Sequence, residues 1–355
     1  MNTPQDDHAR PGIAQAAELL RSRNRILITT HRNPDGDALG CMCAAARLCA
    51  LLGKETRLVC VSDVPEHLAW LEIPAPLFKN YAELRGWQPD LVLFLDCGHP
   101  SRSGPDGAAL ADGHMPPGWK QVDILNIDHH QHTPSFGLVN LVEPGAGATA
   151  ELLGLIIEYL GLPLSGPLGE AIYLGLSSDS GNFSYANTNA DLLAMAGRIV
   201  RHGFNVEEFM VKSENNWSLG RLRLWAETLL QLRFFAQDQV ALARISRADM
   251  DKHQCLPGDL DQLVSFPLRL RSARVSVLIR EKIDGGSKLS LRSQGGEQGP
   301  DVRKAAARLG GGGHRNAAGA EVNLPPHKAE EKILEFLMEE MEGKAPLPVK
   351  SPPCG

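Results

Sequence analysis

Four short stretches of the sequence carry side chains able to hold metal ions or move protons. The first is HRNPDGD, which offers His31, Asp35 and Asp37 within one loop. Gly36 lets the backbone turn tightly there, so the carboxylates on either side can converge. The plainer reading is a turn rich in Asp, Asn and Pro, with an Asp capping the next helix. The second is Asp96, closing the apolar run LVLFL; such an acid is also often a cap or a salt-bridge partner. The third is Asp128-His129-His130, after another apolar run, and the fourth is Asp179 in SSDSGNF. Each stretch alone has an ordinary explanation as a polar loop. Together they supply imidazoles and carboxylates without thiolates, a donor set suited to hard or borderline divalent ions such as Mn²⁺. Carboxylates gathered at one place repel one another unless cations neutralise them. Two ions would do so, and two-metal sites suit phosphoryl hydrolysis: one ion lowers the pKa of a water, and the pair stabilises the attacking and leaving oxygens.

The elements around these residues explain how they could meet. Residues 25–31, 56–61, 90–96 and 122–130 read as mostly apolar strands, and 11–22, 38–52, 147–161, 167–177 and 189–202 as helices, with 177–183 a loop. Continuous apolar strands alternating with helices predict a parallel sheet covered on both faces. In such folds ligands bind beyond the carboxyl ends of strands, which is where His31, Asp96 and Asp128 to His130 fall. After a helical stretch over 205–230 the pattern changes. Residues 232–245, 273–282 and 288–293 read as strands, the last two flanking the turn IDGG, and a Gly-rich loop and an amphipathic helix over 327–342 follow. RKAAAR (303–308) reads as a helix with a solvated basic face, not a nucleic-acid track. The expectation is an α/β domain with a mainly parallel sheet, a helical linker, and a smaller α+β domain.

Bulk properties narrow the class. The 355 residues suggest two domains. The net charge of −6 favours a small or short anionic substrate over long duplex nucleic acid, whose binders usually present a basic surface. Seven cysteines without a CxxC pair argue against a disulfide framework, and Cys41, Cys43 and Cys97 read as buried thiols. The polar N-terminus and the absence of a long apolar run predict a cytoplasmic protein with no membrane partner.

At this point the sequence resembles a known family. HxNPDGDALG, the strand-end Asp, the DHH triplet and the later Asp-x-Gly are similar to the four motifs of the DHH phosphoesterases, and GGGGHRNAAG (310–319) to the GGGHxxAAG signature of their associated C-terminal domain. The resemblance covers roughly residues 11–340 and points to stand-alone members that degrade very short RNA and dephosphorylate 3′-phosphoadenosine 5′-phosphate (pAp). It implies a catalytic metal-binding domain over 11–204, a helical linker over 205–230, a substrate-binding domain over 231–342 and a disordered Pro-rich tail over 343–355, with the active site in the cleft between the domains. It implies two divalent ions, with His31 and Asp35 on one, Asp37, His129 and Asp179 on the other, and Asp96 bridging both. Asp128 would orient a histidine, and His130 would face the substrate phosphate. Arg292, Ser293, Gly311, Gly312, Gly313 and His314 would bind substrate, Arg through its planar two-pronged donor set. Cys41 stands where the first motif often has Ser, and Ser180 where the fourth often has Thr. Rival expectations are a phosphodiesterase for cyclic-di-AMP or its linear product pApA, a RecJ-type DNA exonuclease, a family II pyrophosphatase, and a nucleotide-sensing module without catalysis. Monomer and homodimer are both open on sequence alone.

Overall fold

The computed structural model describes residues 11–260, 262–295 and 299–341; the Pro-rich stretch 343–355 lies outside them. The chain divides into two compact units, one ending at Asn215 and one beginning at Asn216.

The first unit runs α1 (Pro11–Ser22), β1 (Arg25–Thr29), α2 (Gly36–Leu51), β2 (Glu55–Val59), β3 (Leu77–Phe78), β4 (Leu91–Leu95), α3 (Pro105–Ala111), β5 (Asp123–Asp128), β6 (Val139–Val142), α4 (Thr149–Tyr159), α5 (Gly166–Asp179), α6 (Ala190–Arg201) and α7 (Val206–Ser213). Its six strands form one sheet in the order β3-β2-β1-β4-β5-β6, every neighbouring pair parallel. Both faces are apolar because successive residues of a strand point to opposite sides. Leu91, Leu93 and Leu95 of β4 join the core built with α1, α2, α4 and α5, while Val92 and Phe94 join Tyr81, Trp87 and Leu110 on the other side. The strand order reverses between β1 and β4, and the crevice at such a reversal is where open parallel sheets bind ligands.

The second unit contains α8 (Leu219–Leu230), β7 (Arg233–Phe235), β8 (Val240–Ile245), α9 (Arg247–Lys252), β9 (Val275–Glu281), β10 (Ser287–Ser293), α10 (Val302–Arg308), β11 (Gly312–His314), β12 (Ala317–Val322) and α11 (Pro326–Met341). Its mixed sheet has the order β11-β12-β10-β9-β8-β7. Val277, Ile279, Leu289 and Leu291 pack on one face against Ala305 of α10 and Ile333 and Leu337 of α11. Leu278 and Ala243 pack on the other against Leu224 and Trp225 of α8.

Three readings of local structure change. Residues 232–245 are not one strand: Ala236, Gln237 and Asp238 all take positive φ (53°, 56°, 63°), which folds the segment into the β7–β8 hairpin. Asp179 lies not in a loop but at the last residue of α5. The glycine run does not stay a loop; Gly312 to His314 form the edge strand β11, pairing with β12. β3 and β6 are too short and mixed in composition to stand out in the sequence. The basic side chains of α10 are ion-paired: Arg303 with Asp301, and Lys304 and Arg308 with Glu340 and Glu339 of α11.

Candidate metal centre

His31 follows β1 directly and is held against β4, because the Thr30 hydroxyl donates to the Leu95 carbonyl at 2.8 Å. Its Nδ1 donates to the Arg32 carbonyl at 2.9 Å, which leaves Nε2 as the nitrogen that faces the acids. That Nε2 is buried, has no hydrogen-bond partner, and lies 3.8 Å from Asp35 Oδ2 and 3.5 Å from Asp96 Oδ2. His129 repeats the arrangement: Nδ1 donates to the Ala146 carbonyl at 3.3 Å, and Nε2 points at Asp179 Oδ2 (3.1 Å) and Asp96 Oδ1 (3.7 Å). A ring fixed by a backbone carbonyl on one nitrogen and presenting the other to acids is the usual geometry of a metal-ligating histidine.

The acids are placed by helix ends and by one strained residue. Asp35 serves both readings of its loop. Its Oδ1 caps α2 by accepting from Ala38 N at 3.1 Å, and its Oδ2 faces His31. Asp37 is fully buried and accepts from the first amides of α4, Thr149 N at 2.7 Å and Ala150 N at 3.0 Å. The positive end of a helix favours a carboxylate. Cys41, at the position of the expected Ser, donates its thiol to Asp37 Oδ1 at 3.3 Å. Asp96 sits at φ 57°, a conformation that is uncommon for a non-glycine residue and concentrates at functional sites. Its Oδ2 faces His31 and its Oδ1 faces His129, while the Thr149 hydroxyl donates to Oδ1 at 2.8 Å. Asp179 stands at the C-terminus of α5, the helix end that disfavours negative charge.

Asp128 turns away from this group. Its oxygens accept from Gly98 N (2.6 Å), the Thr133 hydroxyl (2.7 Å), His129 N (2.8 Å) and His130 Nδ1 (2.7 Å). Burial works to raise its pKa, but the bonds from His130 and Thr133 outweigh it and hold the carboxyl at about 2. The histidine that Asp128 orients is therefore His130, whose Nε2 lies 3.4 Å from Arg102 Nη1.

Three groups of donors close enough to share an ion emerge: His31, Asp35 and Asp96; Asp37, His129 and Asp179; and Asp96, His129 and His130. Asp96 stands in the first and the third, and its Oδ1 approaches His129 of the second. The charges demand a cation. Burial, and then the Asp96 and Asp179 charges, push the Asp37 pKa well above the carboxylate range. Burial alone would lower the pKa values of His31 and His129, yet the acids beside them drive both up to about 10. Four carboxylates around two histidines whose Nε2 atoms face them are a donor set that suits divalent ions, which would replace the protons on those nitrogens.

The six expected ligands thus come together. The expected substrate residues form a second group in the other unit. Arg292 of β10 and His314 of β11 both pair with Ala317 of β12, so they lie in one row across three strands. Gly311 and Gly313 are required there, since a Cβ would lie 2.1 Å from the Gly319 oxygen or 2.5 Å from the Ala317 oxygen; Gly312 faces open space. The Ser293 hydroxyl is turned inward, donating to the Pro300 carbonyl at 2.8 Å. Sequence reasoning missed Thr149, Gly98 and Arg102. Thr149 opens a helix as many threonines do, and Arg102 looked like any loop arginine; nothing in their spacing marked them.

A parallel sheet whose crevice gathers acids and histidines in this order defines a class. Residues 25–176 match the DHH family, N-terminal domain, and residues 237–343 match the DHHA1 domain. The chain belongs to the DHH family of phosphoesterases with a DHHA1 domain. It is 30% identical to the bifunctional oligoribonuclease and PAP phosphatase NrnA of Thermus thermophilus, over 92% of this chain and 93% of that one. It is 26% identical to the Mycoplasma pneumoniae protein of the same name, over 88% and 92%. The fold matches that of an exopolyphosphatase-related protein from Bacteroides fragilis, with a TM-score of 0.83, 24% identity, and coverage of 93% and 96%.

Proposed function

We propose that this chain hydrolyses short oligoribonucleotides to 5′-mononucleotides and removes the 3′-phosphate of pAp to give AMP, using two divalent ions, Mn²⁺ the expected pair. The observation that carries the reading is Asp96. Its two carboxylate oxygens face two different histidines, each with its own acid partners, so that one residue can join two ions. The activities named for the relatives supply the substrate class.

His31 and Asp35 would hold one ion, Asp37, His129 and Asp179 the other, and Asp96 both. When bound, the ions supply an activated water and neutralise charge at the phosphoryl group. The protein's own residues do the rest. The Thr149 hydroxyl holds the Asp96 carboxylate in place through Oδ1. Asp128 fixes the His130 ring by accepting from its Nδ1, so that Nε2, when it also carries a proton, can donate to a phosphate oxygen or to the leaving oxygen. Arg102 sits beside that nitrogen and offers a cationic donor to the same phosphate. In the second unit Arg292, the stretch Gly311 to Gly313 and His314 would grip the substrate; β11 is the edge strand of its sheet, with β12 on one side of it. Ser293 would contribute by pinning the loop through Pro300.

The test is one panel. Metal-stripped protein is reloaded with Mn²⁺, Mg²⁺, Co²⁺ or Zn²⁺ and given pAp, RNA of two to twenty nucleotides, and cyclic and linear diadenylates. The expected result is Mn²⁺-supported cleavage of pAp and of the shortest RNAs, with rate falling as chains lengthen. Equal cleavage of the longest RNAs, or a preference for cyclic diadenylate, would replace the proposal with an exonuclease or a cyclic-dinucleotide phosphodiesterase.

A further inference from the structure

A strained turn follows Asp179 directly. Gly181, Asn182 and Phe183 take φ of 56°, 57° and 61° in succession. Such angles are uncommon outside glycine, and in a residue as bulky as Phe183 they persist only where neighbours fix them. Here the buried Ser180 hydroxyl accepts from Phe183 N at 3.0 Å and donates to the Leu176 carbonyl at 2.6 Å. The Phe183 ring stands edge-on to Tyr173, with centroids 5.6 Å apart. The turn sends the chain back on itself, and Asn187 meets the residue that began it. Its Nδ2 donates to the Asp179 carbonyl at 3.0 Å and to the Gly147 carbonyl at 2.8 Å. Both partners are acceptors, so the nitrogen of the amide faces them and both of its protons are used.

These two carbonyls belong to the segments that carry two proposed ligands of one ion. Asp179 is itself a ligand, at the end of α5, where the last carbonyls have no partner within the helix. Gly147 follows Ala146, whose carbonyl accepts from His129 Nδ1 and so aims Nε2 at Asp179 Oδ2, 3.1 Å away. The loop around Gly147 is held closely. Its N–H donates to the buried Glu151 at 2.8 Å, and a Cβ on it would lie 2.3 Å from Leu192 of α6.

We propose that Asn187 is a positioning residue for the metal centre. By tying the carbonyls of Gly147 and Asp179 to one nitrogen, it fixes the gap between His129 and Asp179, and so holds the ion that these two share with Asp37. The inference rests on the ligand set proposed above and adds to it a residue that acts through two ligands. The other proposed ion depends on His31, Asp35 and Asp96, which stand on the loop between β1 and α2 and at the end of β4. Loss of the tie therefore loosens one ion and spares the other. A neutral amide suits the task, because one nitrogen supplies two donors without adding charge beside the ion.

The experiment uses the full chain, metal-stripped, as wild type and as Asn187→Ala, Asn187→Ser and Asn189→Ala. Asn189 is the control: its Nδ2 donates to the Gly145 carbonyl at 3.2 Å and its Oδ1 caps α6, so it ties the same loop to α6 instead of to Asp179. Mn²⁺ uptake is followed by titration calorimetry and by electron paramagnetic resonance, in which two ions joined by a carboxylate give a signal distinct from that of a lone ion. Wild type is expected to take up two ions. Asn187→Ala is expected to weaken the second about ten- to a hundredfold, the usual cost of losing a group that orients a metal ligand, and to show the lone-ion signal where wild type shows the pair. Its turnover of pAp should fall at limiting Mn²⁺ and recover at saturating Mn²⁺. Asn189→Ala should bind both ions as wild type does. Should Asn187→Ala not fold, Asn187→Ser, which keeps one donor, is judged by the same measurements. Unaltered affinity for the second ion, equal weakening of both ions, or the same weakening in Asn189→Ala overturns the positioning role and leaves the proposed function standing. A wild-type chain that takes up two ions but hydrolyses neither pAp nor RNA removes the proposed function, while the binding comparison still decides the role of Asn187. A wild-type chain that takes up fewer than two removes the two-ion reading and this inference together.

Discussion

Carboxylates as close as Asp37, Asp96 and Asp179 cannot all stay ionised without a counter-charge, and the metal-free chain answers by taking up protons. His31 and His129, with pKa values raised to about 10 from the ordinary 6.5, stay protonated through neutral pH. In the metal-free protein their ion pairs stabilise the fold fully below 6.5, and that contribution is lost as pH rises through about 10. A metal needs both rings neutral, so loading must expel protons. Titration calorimetry with Mn²⁺ at pH 7.5, repeated in buffers of different ionisation enthalpy, is expected to show release of on the order of two protons per chain; a buffer-independent enthalpy would mean that the rings are already neutral. Asp96→Asn should abolish turnover and lower bound metal, while circular dichroism shows a folded chain. Near-normal activity in that variant would remove the bridging role. In the proposed mechanism Arg102 acts beside His130 on the reacting phosphate itself, so Arg102→Ala should slow every substrate, the aryl ester bis(p-nitrophenyl) phosphate included, by about ten- to a hundredfold in kcat with metal content unchanged, the cost of one charge-assisted contact. A defect confined to RNA would assign Arg102 to substrate recognition instead.

At the scale of elements, the ligands are held by helices that approach more closely than side chains usually allow. A Cβ on Gly40 would lie 2.5 Å from the Ala171 carbonyl oxygen of α5, and one on Gly175 would lie 2.5 Å from Ala150 Cβ and 2.6 Å from Asp37 Oδ1. The crossing of α2 and α5 thus places Asp37, on the first turn of one, near Asp179, on the last turn of the other, and leaves α4 free to aim its first amides at Asp37. Gly175→Ala is expected to cost about 1–3 kcal/mol in stability, as overpacking of a filled core does. It should also weaken metal affinity, because the new methyl displaces the Asp37 carboxylate. Thermal melts with and without metal separate the two effects: a variant with lowered stability but unaltered metal-induced stabilisation would show that the helix crossing does not tune the site.

At the scale of the whole molecule, the two units carry different chemistry on different kinds of sheet. The first gathers acids near the ends of parallel strands; the second carries Arg292 and the glycine-rich edge on a mixed sheet. On the proposed roles, substrate grip and metal binding are separable by mutation. Arg292→Ala is expected to raise KM for a dinucleotide about ten- to a hundredfold, with bound metal unchanged and bis(p-nitrophenyl) phosphate hydrolysed normally. Equal losses on both substrates, or loss of metal, would mean that Arg292 serves catalysis or folding.

The sequence by itself determined the donor set, the parallel sheet and the family, because these rest on local patterns: apolar runs that end in acids, and motifs whose spacing survives without a structure. It could not show that Asp35 both caps α2 and faces His31, since one side chain has two oxygens and only geometry gives them separate partners. Asp179 read as a loop residue because Ser, Asp, Gly and Asn favour turns, yet burial of Leu174 and Leu176 draws α5 through to that acid. The glycine run read as a loop because glycine lacks strand propensity; pairing with β12, so close that a Cβ at Gly313 would not fit, made it a strand. Thr149 and Arg102 became visible only in the tertiary structure, because each is defined by what stands next to it from a distant part of the chain.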